Sequence, residues 1–204
     1  IIGFLVSGIF SDEFSWKADS IFFSARLGRG RAVLAKMGAG FLITTVLYWS
    51  VVLLFGLIVL AVLGFGGGGC AVQTGVSNWN SIYNITYFQD YLLSTFGGYI
   101  GSLFIVTLAM LVSAKTHSTV FAITIPFILT CVPPFVGRLE AFARIMTLFP
   151  DQLLSINKNL EDFSLYHIGG NIFGGVTVII PLYLILFCLV FPILFIVYRK
   201  TQIK

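Results

Sequence analysis

The sequence predicts an all-α integral membrane protein built as a polytopic helical bundle. Apolar residues make up 58% of the 204-residue chain, charged residues only 10%, and the mean hydropathy is +1.00, which separates the chain from soluble globular domains. Four windows approach or exceed the ~20 apolar residues of a membrane-spanning helix. None of the four contains Asp, Glu, Lys or Arg. Their continuous Leu, Ile, Val and Phe runs differ from the short alternating strands of a transmembrane barrel.

Five apolar segments are predicted within a single transmembrane domain, residues 1–204. Residues 1–10 are an apolar run about half as long as a span. They are interpreted as the end of a truncated membrane helix, because the basic start and the cleavage site of a signal peptide are missing. The four windows expected to be complete spans are residues 41–63, 91–112, 119–136 and 172–197.

The distribution of Lys and Arg predicts the orientation of these spans, since cytoplasmic loops accumulate basic residues. With residues 11–40 inside, the C-terminus is also cytoplasmic, and nine basic residues lie inside against three outside. The net charge of +4 is then a topology signal, and no nucleic-acid partner is expected, because that needs a basic face on a soluble module. The inside residues are Lys17, Arg26, Arg29, Arg31, Lys36, Lys115, Arg199, Lys200 and Lys204; the outside residues are Arg138, Arg144 and Lys158.

No catalytic or metal-binding residue is predicted, and the chain is not expected to be an enzyme. His117 and His167 fall on opposite sides of the membrane in this topology, so they do not form one metal site. The three cysteines have the spacing of neither a disulfide framework nor a zinc site, and Cys131 and Cys188 are expected to be small buried packing residues. The glycine run at residues 66–69 lacks the Lys-Ser/Thr of a phosphate-binding loop and is interpreted as a flexible turn.

Small residues in the second window predict close helix packing. They recur at four-residue spacing, which lets helices approach one another closely, and packing within one bundle is favoured over a dimer contact. The residues are Ser94, Gly98 and Ser102, with Gly97 and Gly101.

Residues 11–28 predict a short amphipathic helix at the cytoplasmic interface. Acidic residues near its beginning and Arg26 near its end interact favourably with the helix dipole. Gly28 and Gly30 are expected to end the helix. An anchor that only steadies the bundle on lipid is the alternative. The apolar face recurs at i, i+4, i+7, i+8 and i+11 and consists of Phe14, Ala18, Ile21, Phe22 and Ala25.

This stretch resembles the permease subunits of ABC (ATP-binding-cassette) type-2 exporters. The similarity rests on IFSDE at residues 9–13, SIFFSARLGRGR at 20–31 and LAK at 34–36, ahead of a long apolar helix. In that family an acidic residue follows the end of the second helix, and a short coupling helix comes next. A basic residue and a later Lys then precede the third helix. The matching residues are Asp12 or Glu13, Arg29 or Arg31, and Lys36. The sequence departs from the family at residues 16–19, where many members carry a Glu-x-Gly-Thr-like turn.

The second half of the chain is similar to the same family. Residues 119–136 end in Pro133-Pro134, and the outer segment that follows, residues 137–171, contains Phe149-Pro150-Asp151. Family members carry a proline-containing, partly re-entrant outer segment there, before a last helix with a basic tail. The resemblance implies six helices in the complete chain, with residues 1–10 as the end of the second.

The resemblance implies a permease subunit of an exporter in a bacterial cell membrane, carrying a hydrophobic or amphipathic cargo such as a peptide, lipid or drug. ATP and magnesium would belong to cytoplasmic ATPase subunits, and a second permease copy or a homologous permease would complete the complex within membrane lipid. The residues expected to dock the ATPase are Asp12, Glu13, Trp16, Lys17, Asp19, Phe22, Phe23 and Arg26.

Two other classes stay open. One is an accessory or immunity-type membrane protein, which needs no coupling helix. The other is a fragment of a secondary transporter, a class that usually places ionisable residues near the membrane midplane, where the four windows have none.

Overall fold

A computed structural model describes residues 30–76, 78–136, 147–156 and 164–200, together with Gly3, Leu5, Val6 and Leu160. Helices account for most of these residues. The elements are α1 (Arg31–Leu63), α2 (Tyr87–Thr116), α3 (Thr119–Cys131), α4 (Pro133–Val136), α5 (Pro150–Leu154), β1 (Leu165–Ile168), β2 (Asn171–Gly174) and α6 (Gly175–Lys200). Within the described ranges, α1, α2 and α6 are the three helices long and apolar enough to cross a membrane.

The long helices contain three of the four predicted spans, with different ends. α1 and α2 cover the windows 41–63 and 91–112 completely. α6 begins at Gly175 and not at Ile172, because Asn171–Gly174 pairs as a strand. Residues 119–136 form α3 and the single-turn α4 in place of one helix, with a break at Val132. The break precedes Pro133-Pro134, and a residue before proline is driven out of the helical region.

Local signals explain where the long helices begin and end. Thr86 and Gln89 form a capping box at the start of α2: the Thr86 N–H donates to Gln89 Oε1 at 3.1 Å, and the Gln89 N–H donates to Thr86 Oγ1 at 3.3 Å. α1 is terminated by Gly64, the residue after its end, whose φ of +72° suits glycine and whose N–H donates to the Leu60 carbonyl at 3.0 Å. His117 ends α2 in the same way, with a φ of 54°.

The chain divides into two compact units. The first contains the described residues of Ile1–Tyr48, Ser102–Ile128 and Leu184–Lys204. Its core joins the first turns of α1 to the last turns of α2 and α6, with aromatic contacts from Phe41 to Phe187 and Phe191 at 5.6 and 5.7 Å between ring centroids. The buried core residues are Val6, Val33, Met37, Val106, Met110, Ala114, Leu194 and Tyr198.

The second unit contains the described residues of Trp49–Gly101 and Leu129–Tyr183. It includes an exception to the all-helical prediction, since β1 and β2 form an antiparallel hairpin with Ile168 opposite Asn171. Gly169 and Gly170 connect the strands with φ values of 60° and 89°, the positive angles that a type I′ turn requires at both positions.

The 64–86 connection in the second unit is closed by backbone hydrogen bonds. The Val72 N–H donates to the Ile85 carbonyl at 2.9 Å, and the Tyr87 N–H donates to the Cys70 carbonyl at 3.1 Å. The glycine run interpreted as a flexible turn is itself hydrogen-bonded, from the Gly68 N–H to the Phe65 carbonyl at 3.2 Å.

Candidate functional site

The predicted ATPase-docking residues lie outside the described residues. This holds for the whole predicted coupling helix, residues 11–28. Its placement therefore stays a prediction. The docking residues concerned are Asp12, Glu13, Trp16, Lys17, Asp19, Phe22, Phe23 and Arg26.

α1 begins shortly after this stretch, at Arg31. Two basic residues, Arg31 and Lys36, lie in its first two turns. Arg31 is exposed, and Leu34 N–H donates to the Gly30 carbonyl at 3.2 Å, which closes the first helical turn. Lys36 is half-buried, with its Nζ 5.9 Å from the ring centroid of Tyr198 near the end of α6. A cation over an aromatic face is attracted by the ring quadrupole, so Lys36 helps to join α1 to α6.

Residues 153–156, in and just after α5, pack directly on α2. Leu153 and Ile156 are buried at 1% exposure, and they lie against Gly97 and Gly101. A Cβ built on Gly101 would be 3.2 Å from Leu153 Cβ, and one built on Gly97 would overlap the end of the Ile156 side chain. At Gly97 and Gly101 the small residues therefore serve packing within one chain, as predicted for them, and their partner is α5 with the residue two positions beyond it.

Tyrosine hydroxyls bind the same segment to its neighbours in the second unit. The Tyr183 hydroxyl of α6 donates to the Leu148 carbonyl at 3.0 Å. The hydroxyls of Thr147 and Tyr166 are also hydrogen-bonded to each other, which joins the segment to β1. Residues 147–149 are therefore held from two sides just before α5.

Tyr83, in the segment between α1 and α2, is hydrogen-bonded to the beginning of α6. Its Oη accepts a hydrogen bond from the Val176 N–H at 3.3 Å, one of the N–H groups at a helix start that has no partner within the helix. The Gln73 Nε2 holds the Tyr83 carbonyl at 2.6 Å. Burial raises the pKa of Tyr83 above its ordinary value, although hydrogen bonds from Val176 and Thr177 oppose the increase. Gly174 leaves space for the ring, since a Cβ there would overlap it.

Replacing Tyr83→Phe is expected to lower the free energy of unfolding by about 1 kcal/mol, because the Val176 N–H loses its acceptor. The apparent Tm in detergent measures the change. Tyr91→Phe is the matched control, since the Tyr91 hydroxyl makes no hydrogen bond in the part of the chain described. Because burial holds the pKa of Tyr83 above its ordinary value, the unfolded chain ionises first, and stability falls as the pH rises past the ordinary tyrosine pKa. Equal losses in both variants would contradict the assigned hydrogen bond.

A buried carboxylate occupies the first turn of α2. Asp90 is 7% exposed and accepts a hydrogen bond from the Ser94 hydroxyl at 3.3 Å. A negative charge at a helix N-terminus is favoured by the helix dipole, which gives Asp90 a structural reason to be there. The apolar windows assigned Asp90 to a loop; the Thr86-x-x-Gln89 pattern would have placed it inside the helix.

The remaining chemistry-bearing residues are dispersed. No group of three or more His, Cys, Asp or Glu that could hold a metal ion occurs within the described residues. Cys70 and Cys188 are exposed and Cys131 is half-buried, and all three are free thiols. The expectation that Cys188 is buried is therefore wrong, because its position on α6 faces outward from the chain.

The surface of α1 is apolar along most of its length. Its most apolar 18-residue window has no buried residue, and exposed side chains this apolar match hydrocarbon rather than water. The fold and its exposed surfaces thus define the class: a mostly helical chain with three candidate membrane-spanning helices in its described ranges. Comparisons with protein-family models, with curated proteins and with solved structures find no match.

Proposed function

We propose that the chain is the membrane-spanning permease subunit of an ATP-driven ABC exporter of the type-2 kind, with ATP and magnesium bound by separate cytoplasmic ATPase subunits. The observation that carries the proposal is the amphipathic, charged stretch of residues 11–28 directly ahead of a long apolar helix. A docking helix needs charged side chains and aromatic anchors, and this stretch has both.

The packing of the first unit supports a mechanical role for this stretch. α1 begins at Arg31, so only two residues separate its first turn from Gly28. The first turns of α1 share one core with the last turns of α2 and α6, through Met37, Met110 and Tyr198. Packed interiors transmit displacement and compress little. A tilt of residues 11–28 on nucleotide-driven closure of the ATPase would therefore move three helix ends together.

The described spans also suit an externally supplied energy source and an apolar cargo. The central parts of α1, α2 and α6 carry no charge. Exposed apolar side chains along α1 suit contact with lipid, with a second or homologous permease and with a hydrophobic or amphipathic peptide, lipid or drug. In this proposal the protein is a multi-pass protein of the cell membrane with its C-terminus in the cytoplasm.

Affinity purification of the complete protein from its native host in mild detergent tests the proposal. We expect an ABC ATPase to co-purify and the complex to hydrolyse ATP. Recovery of the folded protein alone, without ATPase activity, would instead favour the accessory or immunity-type alternative.

Asp90 gives a specific reason to keep an ion-coupled secondary transporter as the second candidate. It is a buried carboxylate within a candidate span. However, it is the fourth of 30 residues in α2, about 5 Å along a helix of about 45 Å. A coupling ion is usually bound near the midplane, so the position argues against this role.

Proton flux in proteoliposomes, measured with an entrapped pH-sensitive dye under an imposed membrane potential, decides between the two candidates. We expect no protein-dependent flux and therefore no effect of Asp90→Asn. Asp151→Asn is the matched control, since it removes the other carboxylate charge in the described residues of the second unit. A flux that disappears in Asp90→Asn and persists in Asp151→Asn would replace the exporter by the ion-coupled transporter.

A further inference from the structure

At one end of the first unit, the described residues include basic residues and no acidic ones. The basic residues lie at the start of α1, in the last turn of α2 and at the end of α6, and no Asp or Glu occurs among the described residues of this unit. The core cluster brings these helix ends together, because Val33, Ala114 and Tyr198 all belong to it. We call this set the basic end: Arg31, Lys36, Lys115, Arg199 and Lys200.

The preceding stretch of sequence adds no net charge to the first unit. Residues 11–29 carry three acidic and three basic side chains, so their charges cancel. Lys115 lies in the last turn of α2, where the negative end of the helix dipole favours a cation. Arg31 lies at the other kind of helix end, in the first turn of α1, and this turn contains no acidic residue. An anion near Arg31 would therefore be stabilised by both the side chain and the helix end.

Exposed apolar side chains lie close in sequence to the two exposed cations. Leu34, 49% exposed, follows Arg31 by three residues on α1. Val120 and Phe121, 69% and 56% exposed, follow Lys115 across the short connection to α3. A cation beside an apolar surface matches an anionic amphiphile.

We propose that the basic end binds the headgroups of anionic phospholipids, with Arg31 and Lys115 as the contacting cations. Clusters of four to eight basic residues at the ends of membrane helices attract anionic lipid in this way. Lys36 has a different role, because its Nζ is directed to the Tyr198 ring within the unit. The proposal goes beyond the exporter function and does not depend on it, since it requires only a membrane location.

Native mass spectrometry of the full chain tests the proposal. The protein is equilibrated with an equimolar mixture of phosphatidylglycerol and phosphatidylcholine in detergent, and the retained molecules of each lipid are counted. We expect the wild type to retain several-fold more phosphatidylglycerol. In the double variant Arg31→Gln/Lys115→Gln the ratio should fall about fivefold for each cation removed. The matched control Arg31→Lys/Lys115→Arg keeps both charges and should keep the ratio.

Three results would overturn the proposal. The first is equal retention of both lipids by the wild type, and the second is an unchanged ratio in the double Gln variant. The third is that the double Gln variant loses a co-purifying acidic protein but keeps its phosphatidylglycerol. That result would mean that the basic end binds a protein and not lipid. If the double Gln variant does not fold, the wild type decides the question: raising the salt to about 1 M shortens the screening length to about 3 Å, and a ratio unaffected by salt would reject the proposal.

Discussion

Reversing the charges of Asp19 and Arg26 together, as Asp19→Lys/Arg26→Glu, is expected to release the ATPase from the purified permease and to abolish ATP-driven transport. The two residues are seven positions apart, which places them on one side of the predicted helix. Like charges brought together across an interface cost several kcal/mol. We therefore expect at least a hundredfold loss of affinity, measured as the amount of ATPase retained by tagged permease at several ATPase concentrations.

Two controls separate docking from general electrostatic attraction. The variant Asp19→Arg/Arg26→Asp swaps the two residues, so that the net charge and the composition stay those of the wild type. A specific interface should reject this variant as strongly as the first one, whereas attraction that depends on net charge alone should not change. Lys158→Glu changes a charge on the predicted outer side and should retain the ATPase. Full ATPase retention by the first double variant would remove residues 11–28 from the interface and leave the lipid anchor as their role.

The long helices could be predicted from sequence because the membrane criterion depends on length and composition alone. Uninterrupted apolar runs predict α1, α2 and α6, and all three satisfy that criterion. Their ends could not be read from hydropathy, since apolar residues continue past a helix end and polar residues occur within one. Tyr87 to Asp90 belong to α2 because of the Thr86 and Gln89 capping box, a local signal that an apolar window does not detect.

The hairpin was missed for a related reason. Ile172 and Phe173 are apolar, so they extend the last window by composition, although Gly169-Gly170 before them is a strong turn signal. Two glycines with positive φ reverse the chain there. As a result, Ile172 and Phe173 pair with His167 and Tyr166 and do not continue the helix.

The contacts of the second unit could be predicted only in part. Four-residue spacing correctly indicated that Gly97 and Gly101 allow close packing, but spacing does not identify the partner. The hydrogen bond from Val176 to Tyr83 joins residues 93 positions apart. Such a contact depends on the tertiary fold, so no local pattern contains it. The same is true of Lys36 and Tyr198, whose approach requires the ends of α1 and α6 to meet.

Gly101→Leu is expected to lower the free energy of unfolding by about 1–3 kcal/mol, because a larger side chain must fit into a packed contact. A Cβ at this position would already be 3.2 Å from Leu153 Cβ and 3.6 Å from Leu154 Cδ2. The atom at 3.2 Å is next to the backbone of α5, so rotation of the Leu153 side chain does not relieve the contact. The measurement is the apparent Tm in detergent, where each kcal/mol corresponds to about 2–4 °C.

Gly38→Leu is the matched control, because it makes the same substitution inside a long helix at a site with nothing within 4 Å of the added Cβ. Leucine is a better helix former than glycine by about 1 kcal/mol, so this variant should be as stable as the wild type or more stable. The difference between the two variants then isolates the packing of α5 on α2. Equal Tm values would mean that α5 is not seated on Gly101 in the membrane-extracted protein, since a seated α5 has no space for four additional carbon atoms.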